Sequence, residues 1–376
     1  MKKTPFTYGQ LAESQEFTNR KKDIEHLSKN FEGLINTTVI SPRRWGKTSL
    51  INKISNDFSR KNDYIVCKFD AFNCRNEEQF YTLFANSILK ASVSKWNIFV
   101  QEVTKYLSAL APKISMKTDK GFNIEFGIDF KDKAYSFDEI LDLPQKIATD
   151  KNKKILVCID EFQTIGEYEE SLHFQRKLRA HWQTHQDVCY CLYGSKRHLL
   201  LQIFSNYNSP FYKFGDILFI DKIKREDWVA FITKRFSDTG KSISAENAGK
   251  IADLMQNHPY YTQQLSQQSW LRSSKMCNEK IINISFNSIV DQLSLLFCNI
   301  IDNLTPRQIG FLLAICDGVV SFSSHEVLKK YDLGTSANIK NLKNALLEKD
   351  IIDILPKKKI YVQDPVFEFW VKNRYR

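Results

Sequence analysis

Eight consecutive residues, Ser41-Pro42-Arg43-Arg44-Trp45-Gly46-Lys47-Thr48, have the spacing of a phosphate-binding loop, G-x-x-x-x-G-K-[ST], with Ser41 in place of the first glycine. Such a loop wraps backbone N–H groups around phosphate oxygens, sends a lysine to the β and γ phosphates and offers a hydroxyl to Mg²⁺. Lys47 and Thr48 fit the last two roles. A bare G-K-[ST] is a weak signal, and the chain carries a second one, Gly240-Lys241-Ser242, with Arg235 at the first-glycine position. Context separates the two. A β-like run ends at Val39-Ile40 before the first loop and a helical pattern starts at Thr48, so a helix dipole faces the anion there; neither holds at Lys241. The matching acids are Asp160 and Glu161, directly after the apolar run Ile155 to Ile159. Asp160 is placed to hold Mg²⁺ through its water shell, and Glu161 to reach a water attacking the γ phosphate. Alone, two acids after a strand are equally a solvated turn. Gly194-Ser195 closes the next strand-like run, where ligands of open α/β sheets collect, and Ser195 reads as a γ-phosphate sensor or as a plain turn serine.

The elements that must position these groups alternate. Val39-Ile40, a helix over Thr48 to Phe58 and a strand over Tyr64 to Phe69 make a β-α-β order. Ile155 to Ile159 and Val188 to Tyr193 are continuous apolar runs, as in strands buried on both faces, with a helical stretch from Leu172 to Trp182 between them. The expectation is an α/β fold, a P-loop NTPase core with a parallel sheet and helices on both faces, over residues 1–221. Within it, Phe122, Ile124, Phe126, Ile128 and Phe130 alternate with mostly polar residues and Asp119-Lys120-Gly121 supplies a turn, which predicts a hairpin insertion near 113–130.

After Asp221 the pattern turns helical, at Arg225 to Phe236, Ala245 to Gln256 and Tyr261 to Arg272, which predicts a helical lid over 222–300. Residues 301–376 open with Thr305-Pro306-Arg307-Gln308, a capping signature. Helical patterns at Gln308 to Cys316, Ser324 to Tyr331 and Ser336 to Leu347 precede strands at Ile351 to Leu355 and Ile360 to Val362, joined through Pro356-Lys357-Lys358-Lys359. Three helices and a basic two-stranded wing describe a winged helix-turn-helix. With Ile339, Leu342 and Leu346 inward, Lys340, Asn341, Lys343 and Asn344 face out and could enter a major groove while Lys357, Lys358 and Lys359 meet phosphate. Winged helices also bind proteins, so DNA and a protein partner, self-association included, both stay open.

Composition bounds the rest. A chain of 376 residues with 43% hydrophobic and 26% charged residues supports two or three folded domains and excludes a disordered chain. The net charge of +11 makes an anionic partner plausible without selecting one. No uninterrupted apolar run reaches the length that spans a bilayer, no secretory h-region follows Met1-Lys2-Lys3, and eight cysteines are scattered through apolar runs. The expectation is a cytoplasmic protein without a membrane segment.

Taken together, the motifs resemble those of archaeal-type P-loop ATPases of the STAND division, relatives of AAA+ proteins with a C-terminal winged helix. The resemblance rests on Phe17-Thr18-Asn19-Arg20 with Ile24 and Leu27, on Pro42 through Leu50 and on Ile159-Asp160-Glu161-Phe162-Gln163. It extends to Tyr193-Gly194-Ser195, Asn257-His258-Pro259-Tyr260-Tyr261 and the closing Asp364 through Trp370. It implies Mg-ATP between an αβ core and a helical lid, with Ser41, Pro42, Arg43, Arg44, Trp45, Gly46, Lys47, Thr48 and Ser49 around the phosphates. Thr48 and Asp160 would serve the metal, and Lys47, Glu161 and Ser195 the chemistry. Arg20 would border the adenine, while His258 and Pro259 open the lid helix facing the phosphates. The chain departs from the family at Ser41, at Asn257 where the lid often has glycine, and at Tyr212-Lys213-Phe214 in place of a tyrosine-glycine-arginine segment. The last departure leaves Lys213, Arg176 and Arg179 as alternative charge donors.

Two weaker signals have plainer readings. His181 and His185 share a helix face but lack a third ligand, and Cys189-x-Cys191 sits in a buried strand. The leading functional expectation is a Mg-ATP-binding, slowly hydrolysing molecular switch. The alternative is a DNA-binding regulator or protein-interaction scaffold that holds nucleotide with little turnover.

Overall fold

The computed structural model describes residues 4–11, 17–93, 105–106, 114–118, 124–128, 137–354 and 359–375. They form two compact units. One holds Arg20–Arg43 and Lys47–Ile220; the other holds Met1–Asn19, Arg44–Gly46 and Asp221–Arg376. Where the sequence pattern suggests a single core over 1–221, the chain's first residues and the crest of the phosphate loop group with the helical half.

In the first unit, five parallel strands form a sheet: β1 (Thr37–Ile40), β2 (Tyr64–Asp70), then, past a hairpin of β3 (Ile114–Thr118) and β4 (Ile124–Ile128), β5 (Lys154–Asp160), β6 (Val188–Gly194) and β7 (Asp216–Phe219). The order is β2-β5-β6-β1-β7, so β6 separates the strand that feeds the phosphate loop from the strand that ends in the acids. Register aligns the carboxyl ends, with Asp70 opposite Asp160 and Gly194 opposite Ile40. Functional residues after β1, β5 and β6 therefore emerge side by side, one strand spacing of roughly 4.8 Å apart.

The apolar runs behave as expected of doubly covered strands, since Ile155 through Ile159 and Val188 through Tyr193 are all buried. One face is covered by helices at Glu77–Ser92, Leu143–Lys151, Ser171–Trp182 and Arg197–Ser205, around an aromatic cluster. At its centre Trp182 stacks on Tyr190 at 4.2 Å between ring centroids. Lys21–Glu32 and Lys47–Phe58 also pack Leu27, Phe31, Leu50, Ile51, Ile54 and Phe58 inward. The hairpin insertion is present as two antiparallel strands with Met116 opposite Phe126; its turn at 119–121 and Phe122 and Phe130 lie outside the described residues.

The second unit is built on helices at Arg225–Ser237, Ala245–Leu254, Pro259–Arg272 and Glu279–Asp302. The last is long and apolar enough to cross a membrane by length and composition alone. Here it packs Ile282, Phe286, Ile289, Val290, Phe297 and Ile301 inward, with Phe286 edge-on to Phe369 and Phe297 against Trp370. It runs through residue 300, so the expected border between lid and winged helix lies inside its final turn. The winged-helix elements follow as helices Pro306–Cys316, His325–Lys330 and Asn338–Glu348, the antiparallel pair β10 (Ile352–Ile354) and β11 (Ile360–Val362), and a closing helix Pro365–Trp370. The helical unit also contains a short parallel pair, β8 (Ser242–Ile243) with β9 (Met276–Cys277). Thr305 and Gln308 form the reciprocal cap that their spacing predicts. Residues 355–358, including Lys357 and Lys358, lie outside the described residues.

Candidate active site

The sheet unit gathers Lys47, Thr48, Asp160, Glu161 and Ser195 at one end of its strands. Lys47 is buried at the first turn of its helix, and its Nζ lies 2.6 Å from Asp160 Oδ1 and 3.8 Å from Glu161 Oε1. The ammonium also lies 4.6 Å from the centroid of the Tyr193 ring, whose face attracts a cation. Thr48 Oγ1 donates to the other Asp160 oxygen at 3.1 Å. Asp160 thus joins the lysine and the hydroxyl, and its Oδ1 accepts the backbone N–H of Glu161 at 2.8 Å. Glu161 has a left-handed backbone, φ 48°, which turns the chain sharply out of β5. Its Oε2 accepts from Ser195 Oγ at 3.0 Å and from Ser195 N at 3.3 Å. Arg43 Nε donates to Ser195 Oγ at 3.4 Å, which ties a guanidinium from the phosphate loop to this constellation. Arg179 instead bonds Gln183 and lies over the Phe214 ring.

Asp70, opposite Asp160 in register, adds a third carboxyl. Burial raises its pKa, and the charges of Asp160 and Glu161 push the same way against a hydrogen bond from Phe72 N–H. The three acids thus surround the positive charge of Lys47 at adjacent strand ends.

The loop geometry explains why Ser41 can stand for glycine. The left-handed residues are Arg44, φ 63°, and Gly46, φ 87°; Ser41 does not have a positive φ. Ser41 is buried with Oγ on Pro42 O at 3.2 Å. Alternating left- and right-handed residues are the backbone form that turns successive N–H groups toward an anion. Pro42 and Ser49 are buried beside it. Arg20 precedes its helix in a left-handed conformation and pairs with Asp23 at 3.3 Å.

Within the helical unit, the crest residues Arg44 and Trp45 meet the opening of the lid helix. The Arg44 guanidinium lies 4.6 Å from the Tyr260 ring centroid, and Trp45 is edge-on to His258 at 6.4 Å. Pro259 takes the first helical turn, where its missing N–H costs nothing. Lys222 lies 5.7 Å from the Trp45 ring and 6.0 Å from that of Tyr361 on β11. Burial lowers the pKa of Lys222. Burial also drives His258 down to about 3, helped by the charges of Lys222 and Arg44, so the imidazole is neutral at physiological pH. Three residues after His258, Tyr261 donates its hydroxyl to Asp364, whose other oxygen caps the closing helix through Val366 N at 2.9 Å and Phe367 N at 3.0 Å. Lys222, Tyr260 and Tyr261 carry these contacts without having been assigned roles by spacing alone.

The weaker motifs resolve into structure. Lys241 of the second G-K-S donates to Trp270 O and Ser273 O, both at 2.6 Å, and so closes the C-terminus of the lid helix. His181 pairs with Asp142 and Asp138, and His185 with Asp142 and Tyr190. Among the described residues no cluster has the form of a metal site. Cys189 and Cys191 are buried free thiols.

With this geometry in place, two family profiles match the chain. One, described as an ATPase domain predominantly from Archaea, covers residues 17–265. The chain belongs to that family. The second, a probable winged-helix domain, covers residues 295–373 of this archaeal-type ATPase. No curated protein matches it. Among solved structures, the Walker-type ATPase of Pyrococcus abyssi is similar at 14% identity and TM-score 0.66, covering 96% of this chain and 97% of that one. The ORC2 protein of Aeropyrum pernix, in ADPNP–ADP complexes, is similar at 13% identity and TM-score 0.56, covering 94% and 93%. At such identities the likeness is one of fold. Family and site together describe an ATP-binding protein with a winged helix, and the donor set fits the group. A buried lysine matched to acids, a hydroxyl beside them and a turned backbone loop are what a Mg²⁺-bound triphosphate requires.

Proposed function

We propose that this ATPase binds Mg-ATP, hydrolyses it slowly and passes its nucleotide state to the winged helix, as a switch of the STAND type. The observation that carries the proposal is the grouping of Arg44, Trp45 and Gly46 with the helical unit. The crest of the phosphate loop touches the lid helix through Tyr260 and His258 and shares Lys222 with β11. The Tyr261–Asp364 hydrogen bond then ties the lid helix to the closing helix. A nucleotide shifts a conformational equilibrium only through contacts that differ between states, and here Arg44 and Trp45 of the phosphate loop already touch side chains of the responding unit.

In this reading Lys47 gives up part of its ion pair with Asp160 and Glu161 to meet the β and γ phosphates. Mg²⁺, held by Thr48 and Asp160, supplies neutralising charge on the phosphates when bound. Glu161 takes the proton of the attacking water, and Ser195 keeps Glu161 oriented. Arg43 brings a fixed positive charge beside Ser195. Neutral His258 contributes a hydrogen-bonding ring rather than a cation. Eight cysteines outside any disulfide, seven of them buried, accord with a reducing, cytoplasmic setting.

The test is ATP turnover with Mg²⁺ by the wild type and by Glu161→Gln, with ATP binding measured for both. Turnover that is lost in a variant still binding ATP supports hydrolysis at this site; equal turnover in the two removes Glu161 from the chemistry. A second reading, a DNA-binding regulator, is favoured by one observation. On the helix Asn338–Glu348, Lys340, Asn341 and Asn344 are exposed and Lys343 half-exposed, and Lys359 is exposed on the wing, while Leu342 and Leu346 pack inward. That face suits phosphate and base-edge contacts.

A further inference from the structure

Glu161 is held by more than Ser195. Gln163, two residues on in the short 3₁₀ segment Phe162–Glu167, is 2% exposed and donates Nε2 to Glu161 Oε2. That single oxygen therefore accepts three hydrogen bonds, from Gln163 Nε2, Ser195 Oγ and Ser195 N. Its twin, Oε1, is the one that faces the Lys47 ammonium, at 3.8 Å. The amide of Gln163 has only one sensible orientation, because exchanging its N and O would set two acceptors against each other.

The cost of this arrangement is visible on the amide's other side. Gln163 Oε1 is buried and accepts no hydrogen bond among the described residues, a loss that folded proteins tolerate where something else is gained. It lies over Gly194. A Cβ at position 194 would come within 1.8 Å of Gln163 Oε1 and 2.9 Å of its Cδ, with Glu161 Cα at 3.4 Å. The last residue of β6, the acid after β5 and the glutamine in the turn thus interlock.

We propose that Gln163 is a positioning residue that pins one carboxylate oxygen of Glu161 so that the other is presented to the site, and that residue 194 must be glycine to leave room for it. The inference rests on Glu161 acting as the base in ATP hydrolysis. Gln163 touches no reacting atom. It acts by holding the carboxylate in one rotation, and misplacing a reacting group by about an ångström is enough to lower rates on the order of a hundredfold.

The experiment uses the full chain and four variants, Gln163→Leu, Gln163→Ala, Gly194→Ala and the double Gln163→Ala/Gly194→Ala, with ATP affinity, kcat, KM and urea stability measured for each. Gln163→Leu keeps the bulk and removes the donor, so kcat should fall by about 10- to 100-fold while ATP affinity stays within about threefold. Gly194→Ala should lower both kcat and stability, and its stability loss should largely vanish in the Gln163→Ala background, where the clashing amide is gone. Unchanged kcat in Gln163→Leu overturns the proposal, as does a parallel loss of ATP affinity, which marks a merely structural residue. An equal stability loss from Gly194→Ala in both backgrounds overturns the interlock. Glu161→Gln separates the two levels. If it retains turnover, or if the wild type has none, the base itself is misassigned and the positioning role falls with it; if it is inactive and Gln163→Leu is normal, only the positioning role fails.

Discussion

Acid should weaken the helical unit through His258. This side chain is 4% exposed, and its Nδ1 has no hydrogen-bond partner among the described residues. Burial, with the charges of Lys222 and Arg44, sets its pKa at about 3, whereas a histidine in an unfolded chain titrates near 6.5. Between those values the unfolded chain takes up a proton that the folded chain refuses. Its contribution is therefore fully present above about pH 6.5 and is lost as pH falls toward 3. The slope is about 1.4 kcal/mol per pH unit, which gives about 2 kcal/mol by pH 5 and a ceiling near 5 kcal/mol below pH 3. Asp364 works in the opposite sense, because burial raises its pKa and its contribution is lost as pH rises through the folded value. The assay must therefore be a difference. Urea unfolding of the nucleotide-free wild type and His258→Gln at pH 8 and pH 5 cancels Asp364 and every other acid common to both. The wild type should lose about 2 kcal/mol more than the variant over that interval. Two parallel pH profiles would refute the burial argument, since they would mean that His258 accepts its proton in the folded state.

Further outcomes follow from the same geometry. Ser41→Gly should leave ATP affinity unchanged and cost about 0.5 to 1 kcal/mol of stability, because position 41 does not have a positive φ and gains nothing from glycine's freedom; a clear gain in affinity on titration with ATP would contradict this. Tyr261→Phe strips the buried Asp364 of its hydroxyl donor and should cost about 1.5 to 3 kcal/mol in urea unfolding, with a neutral effect counting against a real link between lid and closing helix. If the winged helix reads DNA, alanine at Lys340, Lys343 and Lys359 should weaken binding and flatten its salt dependence by about one unit of log–log slope per lost phosphate contact, measured by fluorescence anisotropy across a salt series; an unchanged slope removes this face from any DNA interface.

Much of the fold was legible because its elements carry strong local signals. Ile155 through Ile159 is too apolar to be anything but buried, Thr305-Pro306 with Gln308 is a complete capping pattern, and the Lys47 loop sits between a strand and a helix. Other elements lacked such marks. β7, Asp216–Phe219, is a four-residue edge strand that is only half-buried, and its apolar run from Ile217 is too short to tell a strand from a stretch of helix. The helix Glu279–Asp302 escapes a search for uninterrupted apolar runs because Asn283, Ser285, Asn287, Ser288 and Asp291 are spread through it, although the whole is apolar enough for a bilayer.

The same holds at the site. Lys47, Thr48, Asp160, Glu161 and Ser195 were legible from spacing, and the structure brings them together. The partnerships that refine them join residues far apart in the chain. Gly194 with Gln163, Tyr261 with Asp364 and Lys222 with Trp45 and Tyr361 are consequences of strand order and helix packing, and no local period encodes them. One signal was available: a glutamine two positions after an acid pair is polar where the turn out of a buried strand would ordinarily pack apolar residues.

The coupling of the phosphate loop to the winged helix is tested most directly by amide hydrogen exchange across Tyr361–Trp370, comparing Glu161→Gln with and without Mg-ATP and using Lys47→Ala as the variant that should not bind. If nucleotide state reaches the winged helix through Lys222, Tyr261 and Asp364, exchange in this segment changes on ATP binding to Glu161→Gln and stays fixed in Lys47→Ala. Identical exchange in the two nucleotide states, with ATP shown to be bound, would contradict the switch and leave a nucleotide-binding domain whose winged helix acts independently of it.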